Sequence, residues 1–205
     1  MQISHCESIS NITIPNSITQ IDGFAFYACY SLSAFYGRYA SNDNRCLIIN
    51  GYLNSFARYG INSYIIPNDV KIIGEGAFED CDNLTSVTIP NSVTTIASRA
   101  FFECENLKDI SLPENITEIG SSAFDSCDSF SEFTFPKSII KIGSAIFAYC
   151  DNLKTVIFKS TTPPQIDEHI FLDSNIKSIR VPAASLDEYK NAIPGYSNCI
   201  EGYYF

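Results

Sequence analysis

The amino-acid sequence predicts a repeat solenoid built around stacked parallel strands, and three observations carry that prediction. The run Leu84-Thr-Ser-Val-Thr-Ile-Pro90-Asn-Ser-Val-Thr-Thr-Ile-Ala-Ser-Arg-Ala-Phe101-Phe-Glu-Cys104 starts again at Leu107, Phe130 and Leu153, each time 23 residues on. The same interval separates Pro67, Pro90, Pro113 and Pro136, then Phe78, Phe101, Phe124 and Phe147, then Cys81, Cys104, Cys127 and Cys150. The apolar residues also keep one phase throughout. A period of this length means that a single supersecondary unit covers its apolar edge with copies of itself.

Each unit opens with a short strand of the form apolar-x-x-apolar-x-apolar-Pro. The strands begin at Ile9, Leu32, Ile61, Leu84, Leu107, Phe130, Leu153 and Ile176, which makes about eight coils. Every step is 23 residues except that from Leu32 to Ile61, which is 29. Alternation sends Val87 and Ile89 inward and Ser86 and Thr88 outward, so equivalent strands pair in parallel as one continuous sheet. Proline at the strand's end has no amide to donate and turns the chain out of the sheet. The return segment then buries Val93, Ile96, Ala100, Phe101 and Cys104. It is too short for a long helix, so we expect a brief extended piece followed by one helical or 3₁₀ turn. Asn83, Asn106, Asn152 and Ser129 precede the next strand, where their side chains satisfy backbone groups at the corner.

The coil from Leu32 to Gly60 is the exception. It carries six extra residues and interrupts the cysteine column. Asn50-Gly51 stands between two apolar runs, which predicts a β-hairpin, because both turn positions tolerate positive φ. Near the C-terminus Thr161-Thr-Pro163-Pro164 replaces the usual Ser-Val-Thr. One residue is inserted before Phe171 and one is lost before Ile176. After Pro182 the repeat stops. Ser185-Leu-Asp-Glu188 reads as a capping box opening a short helix to about Ala192, ended by Pro194-Gly195. With Tyr196, Ile200, Tyr203 and Phe205, that helix is expected to cover the last coil. The organisation is therefore one domain over 1–205: truncated first coils at 1–31, the irregular coil at 32–60, regular repeats at 61–182 and a cap at 183–205.

Composition narrows the function. A net charge of -10 and a pI near 4.5 argue against nucleic acid, which needs clustered Lys and Arg. No apolar run reaches the ~18 residues of a membrane span. No basic segment followed by an apolar stretch opens the chain as an export signal would. Met1 stands partway through a coil, so we expect earlier repeats or a signal upstream of it. Six of the eight cysteines, Cys6, Cys29, Cys81, Cys104, Cys127 and Cys150, share one phase of the repeat and read as a ladder of small buried fillers. Disulfides and a metal centre fit that ladder poorly, because it spreads the thiols along an axis with parallel Cβ vectors. Cys46 and Cys199 lie outside it.

The unit apolar-x-x-apolar-x-apolar-Pro-x-Ser-Val-Thr-x-Ile-x-x-x-Ala-Phe-x-x-Cys-x-x-Leu resembles the BspA-type leucine-rich repeat of bacterial surface proteins over almost the whole chain. Phe35-Tyr-Gly-Arg38-Tyr-Ala-Ser-Asn-Asp-Asn-Arg45-Cys46-Leu47 and Val181-Pro182-Ala-Ala-Ser-Leu-Asp-Glu-Tyr189-Lys190 resemble segments that recur in that family. The resemblance implies an α/β leucine-rich-repeat solenoid. It also implies a cell-surface or secreted protein that adheres to host or neighbouring-cell proteins or glycans. It transfers no catalytic motif.

No sequence signature of catalysis stands against that reading. His5 and His169 lie at opposite ends of the stack, Glu168 beside His169 does not orient it, and no Gly-rich phosphate loop, GxSxG or HExxH occurs. We therefore expect no enzyme, no cofactor and no metal. The acidic residues that follow the ladder cysteines, Glu7, Asp82, Glu105, Asp128 and Asp151, read as solvated corner residues, with calcium as the minor alternative. Asn11, Asn83 and Asn115 fit the glycosylation pattern as a by-product of the Thr-rich repeat. Aromatics gather between Phe24 and Tyr64, and most of them pack the hairpin onto the stack. The candidate partner-binding residues are Tyr36, Arg38, Tyr39, Arg45, Arg58 and Tyr59, because interfaces enrich Tyr and Arg. Ile65 joins them, since it and Tyr36 hold an outward position occupied elsewhere by Thr or Ser. A second candidate is the outward column Lys154, Lys177 and Arg180, with Lys108, beside Asp109 and Glu132. A structural spacer in a larger surface protein is the main alternative to a binding module. A monomer is the starting expectation for assembly.

Overall fold

The computed structural model describes residues 5–167 and 169–204. Glu168 and Phe205, which the sequence placed beside His169 and in the cap, lie outside the described residues, as does Met1. About eight coils stack as expected, but the strand side is not one continuous sheet. Asn11–Thr13 pairs with Ala34–Tyr36, then Ser63–Ile65, Ser86–Thr88 and Asp109–Ser111 pair with one another. Glu132–Phe135, Thr155–Phe158, Ser178–Pro182 and Ile200–Tyr203 form a third group. Within each group the strands run parallel and, between repeats, in phase, as in Ser86 opposite Asp109 and Val87 opposite Ile110. The odd coil makes the first break. The second falls between Asp109–Ser111 and Glu132–Phe135, which no backbone hydrogen bond joins.

The continuous sheet is on the return side. Two-residue strands Ile72–Ile73, Thr95–Ile96, Glu118–Ile119, Lys141–Ile142 and Gln165–Ile166 continue from the hairpin as seven parallel and antiparallel strands. Beyond them the expected helical turn is replaced by consecutive tight turns. Two residues per return, four positions apart, take left-handed backbone: Gly76 and Asp80, Arg99 and Glu103, Ser122 and Ser126, Ala145 and Tyr149. The reason is where the amides go. Those of Arg99, Phe101 and Glu103 donate forward to the carbonyls of Ser121, Ala123 and Asp125, at 3.0, 2.9 and 2.9 Å. Amides spent on the next coil cannot make the i→i−4 bonds of a helix. Left-handed backbone costs a side-chain-bearing residue roughly 1–2 kcal/mol, and glycine is free of that strain but loses more chain entropy. Ala145→Gly is therefore expected to raise the unfolding free energy by about 0.5–1 kcal/mol, seen as a higher denaturant midpoint at unchanged slope.

The hairpin forms as predicted. Cys46–Ile49 and Tyr52–Phe56 pair antiparallel, and Asn50 and Gly51 close the turn with φ of 53° and 81°. Its second strand pairs with Ile72–Ile73 and so starts the return sheet. Alternation along the hairpin gives it two apolar faces. Leu47, Ile49 and Ala57 pack with Ile12, Ile14, Phe26, Leu32 and Phe35, whereas Cys46, Leu53 and Phe56 pack into the main core.

That core is made of columns. Phe78, Phe101, Phe124, Phe147 and Phe171 stack ring on ring, with centroids 5.0, 5.4, 5.9 and 6.1 Å apart and planes within 18°. Phe56 extends the column from the hairpin, 4.7 Å from Phe78. None of the eight cysteines forms a disulfide. In the ladder, Cys104, Cys127 and Cys150 each donate to a phenylalanine carbonyl of the preceding coil, Phe78, Phe101 and Phe124, at 3.0–3.1 Å. Burial pushes the Cys150 thiol up to about 12, and those of Cys104 and Cys127 well above the ordinary range. They remain neutral fillers that satisfy a carbonyl. At the corner, Asn106 and Asn152 donate to the carbonyls of Asp82 and Asp128, and Ser129 to that of Glu105, at 2.8–2.9 Å.

The cap differs from the sequence reading in two ways. Helix Leu186–Ala192 has Ser185 at its N-cap, but the Ser185 hydroxyl does not cap it. It donates instead to the Thr161 carbonyl at 2.5 Å, which ties the cap to the coil beneath. After a 3₁₀ stretch, Pro194–Cys199, the chain adds a further strand, Ile200–Tyr203, parallel to Ser178–Pro182. The cap thus covers the core with the helix and extends the sheet with one more strand.

Candidate interaction surface

The odd coil is built to hold a rigid, aromatic-rich projection. Tyr36 ends its strand on the outward face, 44% exposed, and Ile65 holds the equivalent position, 72% exposed. At Gly37 φ is +107°, and a Cβ there would stand 2.5 Å from the Ile14 carbonyl, so only glycine turns the chain so tightly against the first coil. Arg38 follows, exposed, with its guanidinium 4.6 Å over the half-buried Tyr39 ring. The loop beyond is fixed from within. The Ser41 hydroxyl and the Arg45 amide both donate to the Asp43 carboxylate, and the Cys46 amide donates to the Ser41 hydroxyl.

Two arginines of the candidate set serve this scaffold. Arg45 is half-buried, and its Nη1 donates to the carbonyls of Ala57 and Tyr59 at 3.2 and 3.0 Å. Arg58 is also half-buried. Its Nη1 donates to the carbonyls of Glu79 and Asp80, and its guanidinium lies 4.7 Å over the Tyr30 ring. What remains outward is Tyr36, Arg38, Tyr59 at 60% exposure, Ile65, and Tyr30 at 45%. Tyr30 was not singled out by the sequence; its place directly after Cys29, where other coils carry an acid, was the available signal. Shallow grooves flank this set. One runs past Arg38, Tyr39, Asp43, Pro67 and Asp69 at the strand ends, and the other past Tyr30, Tyr59, Asp80, Asp82 and Asn83 at the corner.

The second candidate column lies several coils away and does not join the first. Lys177 is exposed. Lys154 is half-buried and donates to the Asp151 carbonyl. Arg180 pairs with Glu201 at 3.2 Å, and Glu201 also accepts from Ser178. The cap strand therefore brings its own carboxylate to that stripe.

Behind the corner lies a cluster of charge that the spacing did not reveal. Glu79 is buried and pairs with Arg99 at 2.5 Å, while Arg99 stacks on the Phe102 ring at 3.5 Å. Burial outweighs Arg99 and raises the Glu79 carboxyl. In the next coil, burial, then hydrogen bonding to Asp80 and the charges of Asp80 and Glu79, push Glu103 up to about 7. The folded protein thus holds a proton on Glu103 that the unfolded chain, with a carboxyl near 4.5, releases earlier. This contribution is fully present below about pH 4.5 and is lost as pH rises through about 7. Glu103→Gln is accordingly expected to melt higher than the parent at pH 8 and level with it at pH 4.5. Partial exposure keeps the difference small. Among the described residues, no three of His, Cys, Asp and Glu are placed to hold a metal ion. His169 is an exposed residue 3.4 Å from Asp167. No described helix is long and apolar enough to cross a membrane.

Comparison with known proteins agrees with this architecture. Solved structures of similar fold include the pneumococcal vaccine antigen PcpA, 17% identical, with a TM-score of 0.71 over all of this chain and 60% of that one. A leucine-rich cell surface protein from Faecalibacterium prausnitzii is 24% identical, with a TM-score of 0.63 over 92% of this chain and 63% of that one. A leucine-rich repeat protein from Eubacterium ventriosum is 21% identical, with a TM-score of 0.63 over 87% and 52%. The chain thus spans between half and two thirds of the length of these proteins. No curated protein matches it. The family model described as BspA type leucine-rich repeat region matches in 6 copies over residues 3–43 and 49–177. Most of the sequence lies within those copies, and the chain belongs to the BspA-type leucine-rich-repeat family.

Proposed function

We infer that the protein is a non-enzymatic binding module that docks a protein or glycan partner on a host or neighbouring cell, displayed at a cell surface or secreted. One observation carries this reading. Of the eight large apolar side chains exposed among the described residues, four, Tyr30, Tyr36, Tyr59 and Ile65, sit at the odd coil or beside it. A solenoid gains nothing in stability from leaving tyrosines in water, whereas Tyr and Arg anchors are what interfaces concentrate. The rigid backing of Arg45 and Arg58 suits this use, because a preorganised surface loses little entropy on docking. The cell-surface description of the Faecalibacterium protein, a relative in fold, supports the compartment.

The test is binding of the intact fragment to immobilised extracellular-matrix proteins and to a glycan array, with Tyr36→Ala, Arg38→Ala and Tyr39→Ala combined, and Tyr59→Ala with Ile65→Ala as a second set. Loss of about 30-fold or more in affinity, with unchanged circular dichroism, supports the odd coil as the docking surface. Undiminished binding removes the odd coil from the reading. A fragment that binds nothing favours the alternative of a spacer between other parts of a longer protein.

A further inference from the structure

We propose that the opening between Asp109–Ser111 and Glu132–Phe135 is a slot that accepts an extended peptide carrying a basic residue, by strand addition. The proposal is independent of the odd coil. The two strands belong to consecutive coils, and their return segments pair normally, Glu118 with Lys141 and Ile119 with Ile142. On the strand side no hydrogen bond connects them. In the register kept elsewhere, the Lys108 and Ile110 carbonyls would take the Glu132 and Thr134 amides. Here both edges instead present unpaired ladder groups toward one another. Unpaired backbone at a sheet edge is what an added strand recognises.

Burial gives a second, separate sign of the opening. The inward strand positions of the other coils are buried: Val87 at 3%, Ile89 at 6%, Phe135, Val156 and Phe158 at 0%. Ile110 and Leu112 alone among the inward positions of the regular coils are only partly buried, and so form an apolar floor. The cause is bulk. One strand carries Phe130, Phe133 and Phe135, where its predecessor carries Leu107, Ile110 and Leu112. Phe133 alone meets the rings of Phe124, Phe130, Phe135 and Phe147 at 4.7–5.5 Å. That packing props the strand away from its neighbour.

The mouth selects charge. Asp109 and Glu132 hold equivalent outward positions on the two edges, and both are exposed. An inserted strand places one outward side chain between these carboxylates, where Lys or Arg is favoured and Glu repelled. Lys108, next along the first edge, disfavours a cation one position earlier, so the preference is for one basic residue in a fixed register. Inward side chains of the peptide then cover Ile110 and Leu112.

The probe is the blocked heptapeptide Leu-Thr-Lys-Val-Thr-Ile-Pro, the chain's own Leu84–Pro90 strand with lysine in place of Ser86. Its control carries glutamate at that position. Binding is followed by titration, and amide hydrogen exchange is read at Glu132 and Thr134. In the free protein these two amides should exchange far faster than that of Val87. The lysine peptide should protect them and bind at least tenfold tighter than the glutamate peptide. The exposed change Glu132→Lys should narrow or reverse that preference without altering the fold. Three outcomes overturn the slot: slow exchange of these amides in the free protein, binding that leaves them unprotected, or equal affinity for the two peptides.

Discussion

Phe124→Ala is expected to lower the unfolding free energy by about 3–5 kcal/mol, the range for deleting a fully buried ring. Phe124 stands in the middle of the ring column, stacked between Phe101 and Phe147, with Phe130 and Phe133 against its edges. Neighbouring coils cannot collapse into the space it leaves, because they are held at strand spacing by the return sheet on one side. Its position also gives the substitution a further consequence. At this junction the strand-side ladder is absent, so the coils before and after it are joined by the return segments, by the Ser129–Glu105 corner bond and by these rings. A solenoid's cooperativity depends on such nearest-neighbour interfaces. Denaturant unfolding of Phe124→Ala should therefore separate into two transitions, where Phe78→Ala shifts one. A single transition displaced by less than about 1.5 kcal/mol would contradict both the packing and the weak junction.

Tyr189→Ala comes next, with an expected loss of about 3–5 kcal/mol. Tyr189 is the largest fully buried side chain of the cap. Its ring packs 5.2 Å from Phe158, and its hydroxyl donates to the Ser160 carbonyl at 3.0 Å. Truncation removes the ring and leaves a buried carbonyl without a donor, which adds to the cost. Tyr189→Phe keeps the ring and should lose only about 1 kcal/mol, the worth of the hydrogen bond. Because the cap shields the last coil, hydrogen exchange should quicken first in Thr155–Phe158 and Ser178–Pro182 and leave Ser86–Thr88 unchanged. Equal acceleration along the whole chain would mean that Tyr189 supports something other than the end of the stack.

The sequence was most informative where one local rule repeats. Alternation placed Val87 and Ile89 inward, and the ring and thiol columns follow from phase alone. Asn50-Gly51 named its own turn, because few other pairs accept two positive φ angles. It was less informative about the returns. Ala-Phe patterns suit a helical turn by propensity, but amides that donate forward to the next coil override that preference, and only the neighbouring coil's position reveals it. The Ser185 cap failed for a similar reason. A hydroxyl that can serve its own helix met the Thr161 carbonyl of another coil first.

The candidate surface divides along the same line. Composition pointed to Tyr36, Arg38, Tyr39, Arg45, Arg58 and Tyr59 as one group, yet chemistry alone cannot separate an arginine facing solvent from one spent on backbone carbonyls. By itself the sequence determined the coil, its period, its inward and outward faces and the place where it is interrupted, since these follow from side-chain phase within one repeat. The tertiary structure decided which arginines are occupied and where two carboxylates meet. It also decided where the strand-side sheet parts. Those outcomes depend on the volumes and backbone groups that adjacent coils bring to within a few ångströms, and the strand carrying Phe130, Phe133 and Phe135 stays unpaired with its predecessor although the repeat that contains it is undisturbed.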